Sequence, residues 1–187
     1  DGLDIATGAD PVNLLMTEQV FTAETDVVLT IGGFVMVAGT FAFSVGPTGE
    51  VVVDESGIAK AVSILTIGAY NVDVFIGSFD VVGTTLIAGL QMTGTSFGIA
   101  ILIATDPNDD GVYFAARASA DAVTPIGLPT EIEIEARQVN LAINSGTDGA
   151  ADFTHVNSTF GGSLAVDTGG EELGSPGTVE IDFGREL

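Results

Sequence analysis

Large apolar residues alternate with small or polar ones at period two along most of this chain. The pattern holds in Val27 to Val45, Ala61 to Gly77, Thr84 to Thr105, Gly111 to Leu128, Glu131 to Asn144 and Asp152 to Asp167. These segments are rich in β-branched and aromatic residues, which pack well on a pleated surface, so each is predicted to be a strand. Helical periodicity is almost absent; Pro11 to Ala23 is the one helix-like stretch, and it is weakly patterned.

The breaks between segments are turn chemistry: GPTGE (46 to 50), DESG (54 to 57), DPNDDG (106 to 111), GLPT (127 to 130), SGTDGA (145 to 150) and TGGEELGSPG (168 to 177). Links this short join antiparallel neighbours, because a parallel crossover needs a longer connection. The segments far exceed the usual strand length of about 5–6 residues. Most are interrupted by small residues (Gly32-Gly33, Gly39, Gly68, Gly94, Ala118 to Ala120, Gly161-Gly162), which permit bulges or bends. The predicted fold is all-β, with long bent antiparallel strands in a meander that forms a coiled sheet or sandwich. A β-solenoid or a closed barrel is the alternative.

One phrase occurs twice. Leu3–Gly8 (LDIATG) lies on Leu164–Gly169 (LAVDTG) without a gap, and Val12–Val20 can be laid on Val179–Leu187. This suggests slightly more than one period of a tandem repeat whose unit is domain-sized, well beyond the period of common solenoids. Residues 1–187 are therefore read as a single all-β domain, with 1–20 either the end of a preceding repeat or a docking segment. On that reading Val12, Leu14, Val20, Val179, Ile181, Phe183 and Leu187 are the candidate docking residues.

Composition narrows the partners. Four Lys plus Arg against 26 Asp plus Glu give a net charge of −22, which repels nucleic acid and anionic membrane surfaces. With 46% hydrophobic residues the chain is no acidic disordered segment. Such a surface suits a folded protein outside the cytoplasm, in high salt, or among divalent cations. The absence of Cys excludes disulfides and thiolate metal sites. No apolar run is long enough for a transmembrane helix.

Residues able to do chemistry are few. His155 is the single His, and the nucleophile-elbow, P-loop, dinucleotide-binding and HExxH patterns are all missing, so no enzyme is expected. In DPNDDG, Asp106, Asn108, Asp110 and Gly111 match the opening positions of a calcium loop, but Arg117 stands where its closing Glu belongs. The choice there is between a hairpin tip held by side chain to backbone bonds and a weak calcium site at Asp106, Asn108 and Asp110. Glu131, Glu133 and Glu135 share one strand face and read as a solvated surface, as does Glu171-Glu172 in its Gly-rich link. Asn157 heads a formal glycosylation acceptor, NST.

The segments IGGFVMVAGTFAF (31 to 43) and LTIGAYNVDVFIG (65 to 77), the SFGIAIL run from Ser96, and the duplicated ends resemble the domain-sized repeat units of very large bacterial secreted and surface proteins. The resemblance implies an extracellular or cell-surface, multi-repeat structural or adhesive role with no known reaction. The expected function is a structural module or filament or surface-layer subunit working in cohesion or spacing, partnered by copies of itself or by neighbouring repeats. An adhesive or carbohydrate-binding module is the alternative, although Trp is absent and only Tyr70 and Tyr113 supply phenols.

Overall fold

The computed structural model describes residues 3–5, 12–14, 21–31, 35–46, 48–80, 85–127, 129, 136–169 and 177–184. The fold is all-β and antiparallel, an open sheet with a partial second layer rather than a closed barrel or a solenoid. Its strands are β1 (Leu3–Ile5), β2 (Val12–Leu14), β3 (Phe21–Ile31), β4 (Val35–Val45), β5 (Gly49–Val52), β6 (Ala59–Phe79), β7 (Leu86–Ala104), β8 (Val112–Ile126), β9 (Ala136–Gly146), β10 (Leu164–Asp167) and β11 (Thr178–Ile181). The main sheet runs β3-β4-β6-β7-β8-β9, each strand antiparallel to the next, and β5 extends the row beside the start of β6. Two small sheets, β1-β2 and β10-β11, complete it.

Several strand boundaries differ from the sequence reading. The alternating stretch Val27 to Val45 is not one strand but parts of two, β3 and β4, which pair from Ile31↔Val35 to Phe21↔Val45. In the helix-like stretch Pro11 to Ala23 the described residues are strand, β2 at 12–14 and β3 from Phe21, and 11 and 15–20 lie outside the described residues. Asp152 to Asp167 is mostly a chain of turns before β10. Asp152 Oδ1 accepts from the Thr154 amide and His155 Nδ1 from the Asn157 amide, so these side chains offer the backbone local partners in place of a ladder.

The long strands bend along a line across the sheet. Pairing slips between Ala38 and Phe41 on β4 and between Ala69 and Val72 on β6, and Asn71 has φ 53°. Gly94 on β7, φ 60°, continues the line. Bulges of this kind increase local twist and let strands of this length curve.

One face of the sheet carries a lid. β10 and β11 lie over β6, β7 and β8, and together with residues 151–160 they close a core of Val51, Val53, Val62, Ile64, Ala100, Leu102, Tyr113, Phe153, Val166, Ile181 and Phe183. Each such large apolar side chain stabilises the fold by about 1.5–3 kcal/mol relative to exposure. The lid sits so close because glycines floor its seat. A Cβ at Gly68 would come 2.0 Å from the Asp167 carbonyl oxygen, and one at Gly98 would meet Val166 and Val179.

Gly68→Val therefore forces β10 off the sheet and should cost about 2–3 kcal/mol. Urea denaturation reads the loss, and amide exchange should quicken across 164–167 and 178–181; an unchanged midpoint would mean the lid is not seated there.

Candidate functional site

The opposite face of the sheet has no lid among the described residues. Its rows follow the strand register: Phe43, Ile67, Ile99, Ala116 and Ile143 lie side by side on β4, β6, β7, β8 and β9, and Phe41, Ala69, Phe97, Ala118 and Leu141 form the next row. On β8 both rows carry alanine, flanked by bulkier residues on β7 and β9. The dip produces an apolar trough of about 630 Å³. Phe41 anchors one wall, stacking on Phe43 and meeting Phe97 edge-on at 5.7 Å between centroids. Leu141 is 54% exposed and Ile143 39%, so the β9 wall stands open to water. Contiguous exposed apolar surfaces of this kind are uncommon on proteins that stay monomeric.

Within the trough lies one orphan. Thr95 is 5% exposed, and its hydroxyl has no hydrogen-bond partner among the described residues. An unpaired buried hydroxyl costs free energy that a methyl group would not. Thr95→Val should accordingly raise stability by about 1 kcal/mol in urea denaturation; a loss instead would reveal a bond to the hydroxyl.

The scarce basic residues pin the other end of the sheet. Lys60 on β6 donates to Asp148 at 2.8 Å, to Asp109 at 2.9 Å and to the Tyr113 hydroxyl at 3.1 Å. It thereby ties together the β7–β8 tip and the loop after β9. The Asp148, Asp109 and Tyr113 bonds hold the Lys60 ammonium well above the ordinary lysine range. Lys60, with help from the Gly111 amide, holds the Asp109 carboxyl below the usual carboxylate value, and burial pushes the Tyr113 phenol up. Arg117 on β8 bonds Asp182, and its guanidinium lies 5.0 Å from the Phe183 ring centroid, clamping the chain that follows the lid.

The calcium-loop residues are arranged as a hairpin tip. Asp106 Oδ1 accepts from the amide and from Nδ2 of Asn108, Asp110 is exposed, and Asp109, outside the calcium pattern, makes the ion pair. Among the described residues no group of three or more His, Asp or Glu could hold a metal ion. His155 is in a turn rather than on a strand, its Nδ1 accepting from the Asn157 amide. Asn157 is exposed in the same turn and donates Nδ2 to the Gly57 carbonyl. Glu131, Glu133, Glu135, Glu171 and Glu172 lie outside the described residues.

Of the candidate docking residues, Val179, Ile181 and Phe183 are docked on this chain's own sheet: Ile181 and Phe183 are buried, and Val179 lies over Gly98. Val12 and Leu14 are in β2, opposite Ile5 and Leu3. Val20 and Leu187 lie outside the described residues. Sequence reasoning missed the trough and Lys60, although the alanines of β8 at every second position and the near-absence of basic residues were visible signals.

The two terminal hairpins share one register. Leu3↔Leu14, Asp4↔Asn13 and Ile5↔Val12 in the first correspond, under the sequence match, to Leu164↔Ile181, Ala165↔Glu180 and Val166↔Val179 in the second. The second is packed on the sheet; the first has no comparable packing onto another strand among the described residues. No helix there is long and apolar enough to cross a membrane. Site and fold together define an open antiparallel sheet with a hairpin lid and an uncovered apolar face. Comparison with protein-family models, curated proteins and solved structures found no match for the chain.

Replacing Lys60 by Met should lower the Tm by about 3 °C near neutral pH. Because the Lys60 value is raised, its contribution is complete below the unfolded lysine value of about 10.4 and fades only at still higher pH. Because the Asp109 value is lowered, its contribution is complete above about 3.9 and fades as pH falls further. Thermal scans of the two proteins should thus differ steadily from about pH 5 to 9 and converge in acid; a gap that persists at pH 2 would exclude the ion pairs as its source.

Proposed function

We propose that the chain is an extracellular structural repeat module, a filament or surface-layer subunit whose work is cohesion and spacing between copies. The observation that carries this reading is the shared register of the two hairpins. Matching sequence alone could be chance among common residue types. Matching sequence that also pairs the same positions is what duplication of a structural element produces, since register is set by which face must be buried.

On this reading β1-β2 is the lid of a preceding unit's sheet, as β10-β11 is the lid of this one, and each lid links two consecutive sheets. Stability in such arrays is partly an interface property, so a unit gains from its neighbours. The net charge of −22 opposes contact between copies and is screened by salt. Cohesion of this kind suits a medium rich in ions, and weak calcium binding by surface carboxylates would act in the same direction. The carbohydrate-binding alternative draws no support from the trough, whose lining is almost wholly apolar and offers a sugar few partners.

Sedimentation velocity of the purified chain across a salt series tests the proposal. Larger ordered species should grow as salt rises from about 10 mM to 500 mM, where the screening length falls from about 30 Å to a few ångströms, and electron microscopy should show them to be regular. A chain that stays monomeric throughout, with or without calcium, while binding a specific glycan would overturn the reading in favour of the adhesive module.

A further inference from the structure

Among the described residues the main sheet has two long edges, β3 and β9, each eleven residues in length. An edge strand presents a row of unpaired backbone groups, and proteins that must remain apart guard it with proline, lysine or a bulge. β9 is guarded only at its start, by Arg137 and by Gln138 with φ 55°. From Val139 to Gly146 it has neither proline nor charge, and it exposes Leu141 and Ile143.

Two features fit β3 of another copy to that edge. The first is direction. Six antiparallel strands alternate, so β3 and β9 run oppositely, and a copy placed beside β9 by the rotation that continues the sheet's twist sets its β3 antiparallel to β9 with the same face outward. The second is level. Phe21, Val45, Leu65, Ile101, Phe114 and Ser145 form one unbroken row across the sheet, so the start of β3 stands level with the end of β9.

From these features we infer that β9 pairs antiparallel with β3 of a second copy of this chain, Phe21 of the copy opposite Ser145 and its Ala23 opposite Ile143. The pairing continues the row Ala23, Phe43, Ile67, Ile99, Ala116, Ile143 into the next unit, so the apolar trough becomes one interval of a longer corrugated face. The contact joins two different surfaces by a screw operation that follows the sheet's twist, which builds an open helical filament rather than a closed dimer. It rests on the cohesive reading above and names the contact through which cohesion acts.

Cysteine cross-linking tests this cleanly, because the chain has no Cys of its own. Opposed residues in an antiparallel pair have Cα atoms about 4.5–5.5 Å apart, within disulfide reach. Within one chain the two edges are five strand spacings apart, about 24 Å. Mild oxidation of the A23C/I143C chain should therefore give a ladder of covalent oligomers on non-reducing electrophoresis. An equal mixture of the A23C and I143C single variants should stop at a dimer, and A23C/A142C, with its second thiol on the other face, should give no ladder. Circular dichroism checks the fold, and T25C/L141C in the same register serves if the first pair fails to fold. Oligomers seen by sedimentation without a ladder would overturn the edge pairing while leaving cohesion to another surface. A fast-migrating monomer with an internal disulfide would show the edges meeting within one chain and overturn it too. Absence of any oligomer would overturn both readings.

Discussion

A sheet of long strands has two faces and two edges to satisfy, and among the described residues the segments outside the main sheet cover only part of one face. The β10-β11 hairpin and the turns of 151–160 close the core over β6, β7 and β8. That closure depends on the bare backbone at Gly68 and Gly98, which lets the lid approach within van der Waals distance of the sheet. Among the described residues the lid leaves over an apolar trough on the far face, two long edges, and a second hairpin without a comparable seat. The trough collects the bulky residues of β4 and β7 against the alanines of β8.

Electrostatics divides the labour differently from packing. With 26 acidic and four basic residues, most carboxylates can only face water, and the structure places Lys60 and Arg117 where each joins segments distant in sequence. Lys60 binds two loops to the start of β6, and Arg117 holds the exit of the lid against β8. The remaining negative charge keeps apolar faces of separate copies from collapsing together at random, since approach must overcome repulsion unless salt screens it. Directional backbone pairing at an edge can meet that requirement, whereas unspecific contact between apolar patches cannot do so with a defined geometry.

Much of the fold was legible in the sequence, because alternation at period two and Gly, Pro and Asp at the breaks are consequences of local backbone and side-chain geometry. The antiparallel meander, the long strands of 61–77 and 84–105, and the turn at 106–111 are of this kind. So was the echo between Leu3–Gly8 and Leu164–Gly169, whose matching register only the paired strands display. Alternation does not say where a strand turns back, which is why Val27 to Val45 reads as one strand and is part of two. Nor does it reveal that Asp152, His155 and Ser158 bind nearby backbone and bend 152–163 into turns.

The sequence by itself determined the class of structure and the acidic character of the chain, since each is a property of local pattern or of sums over residues. Tertiary structure alone decided which face is covered. Val179, Ile181 and Phe183 look like free apolar residues in a chain, yet they are the inner side of a lid, while Leu141 and Ile143, patterned just as apolar, stand at an open edge. The physical reason is that burial belongs to pairs of surfaces: an alternating strand states that it has an apolar side, and only the path of the whole chain brings, or fails to bring, something to lie against it.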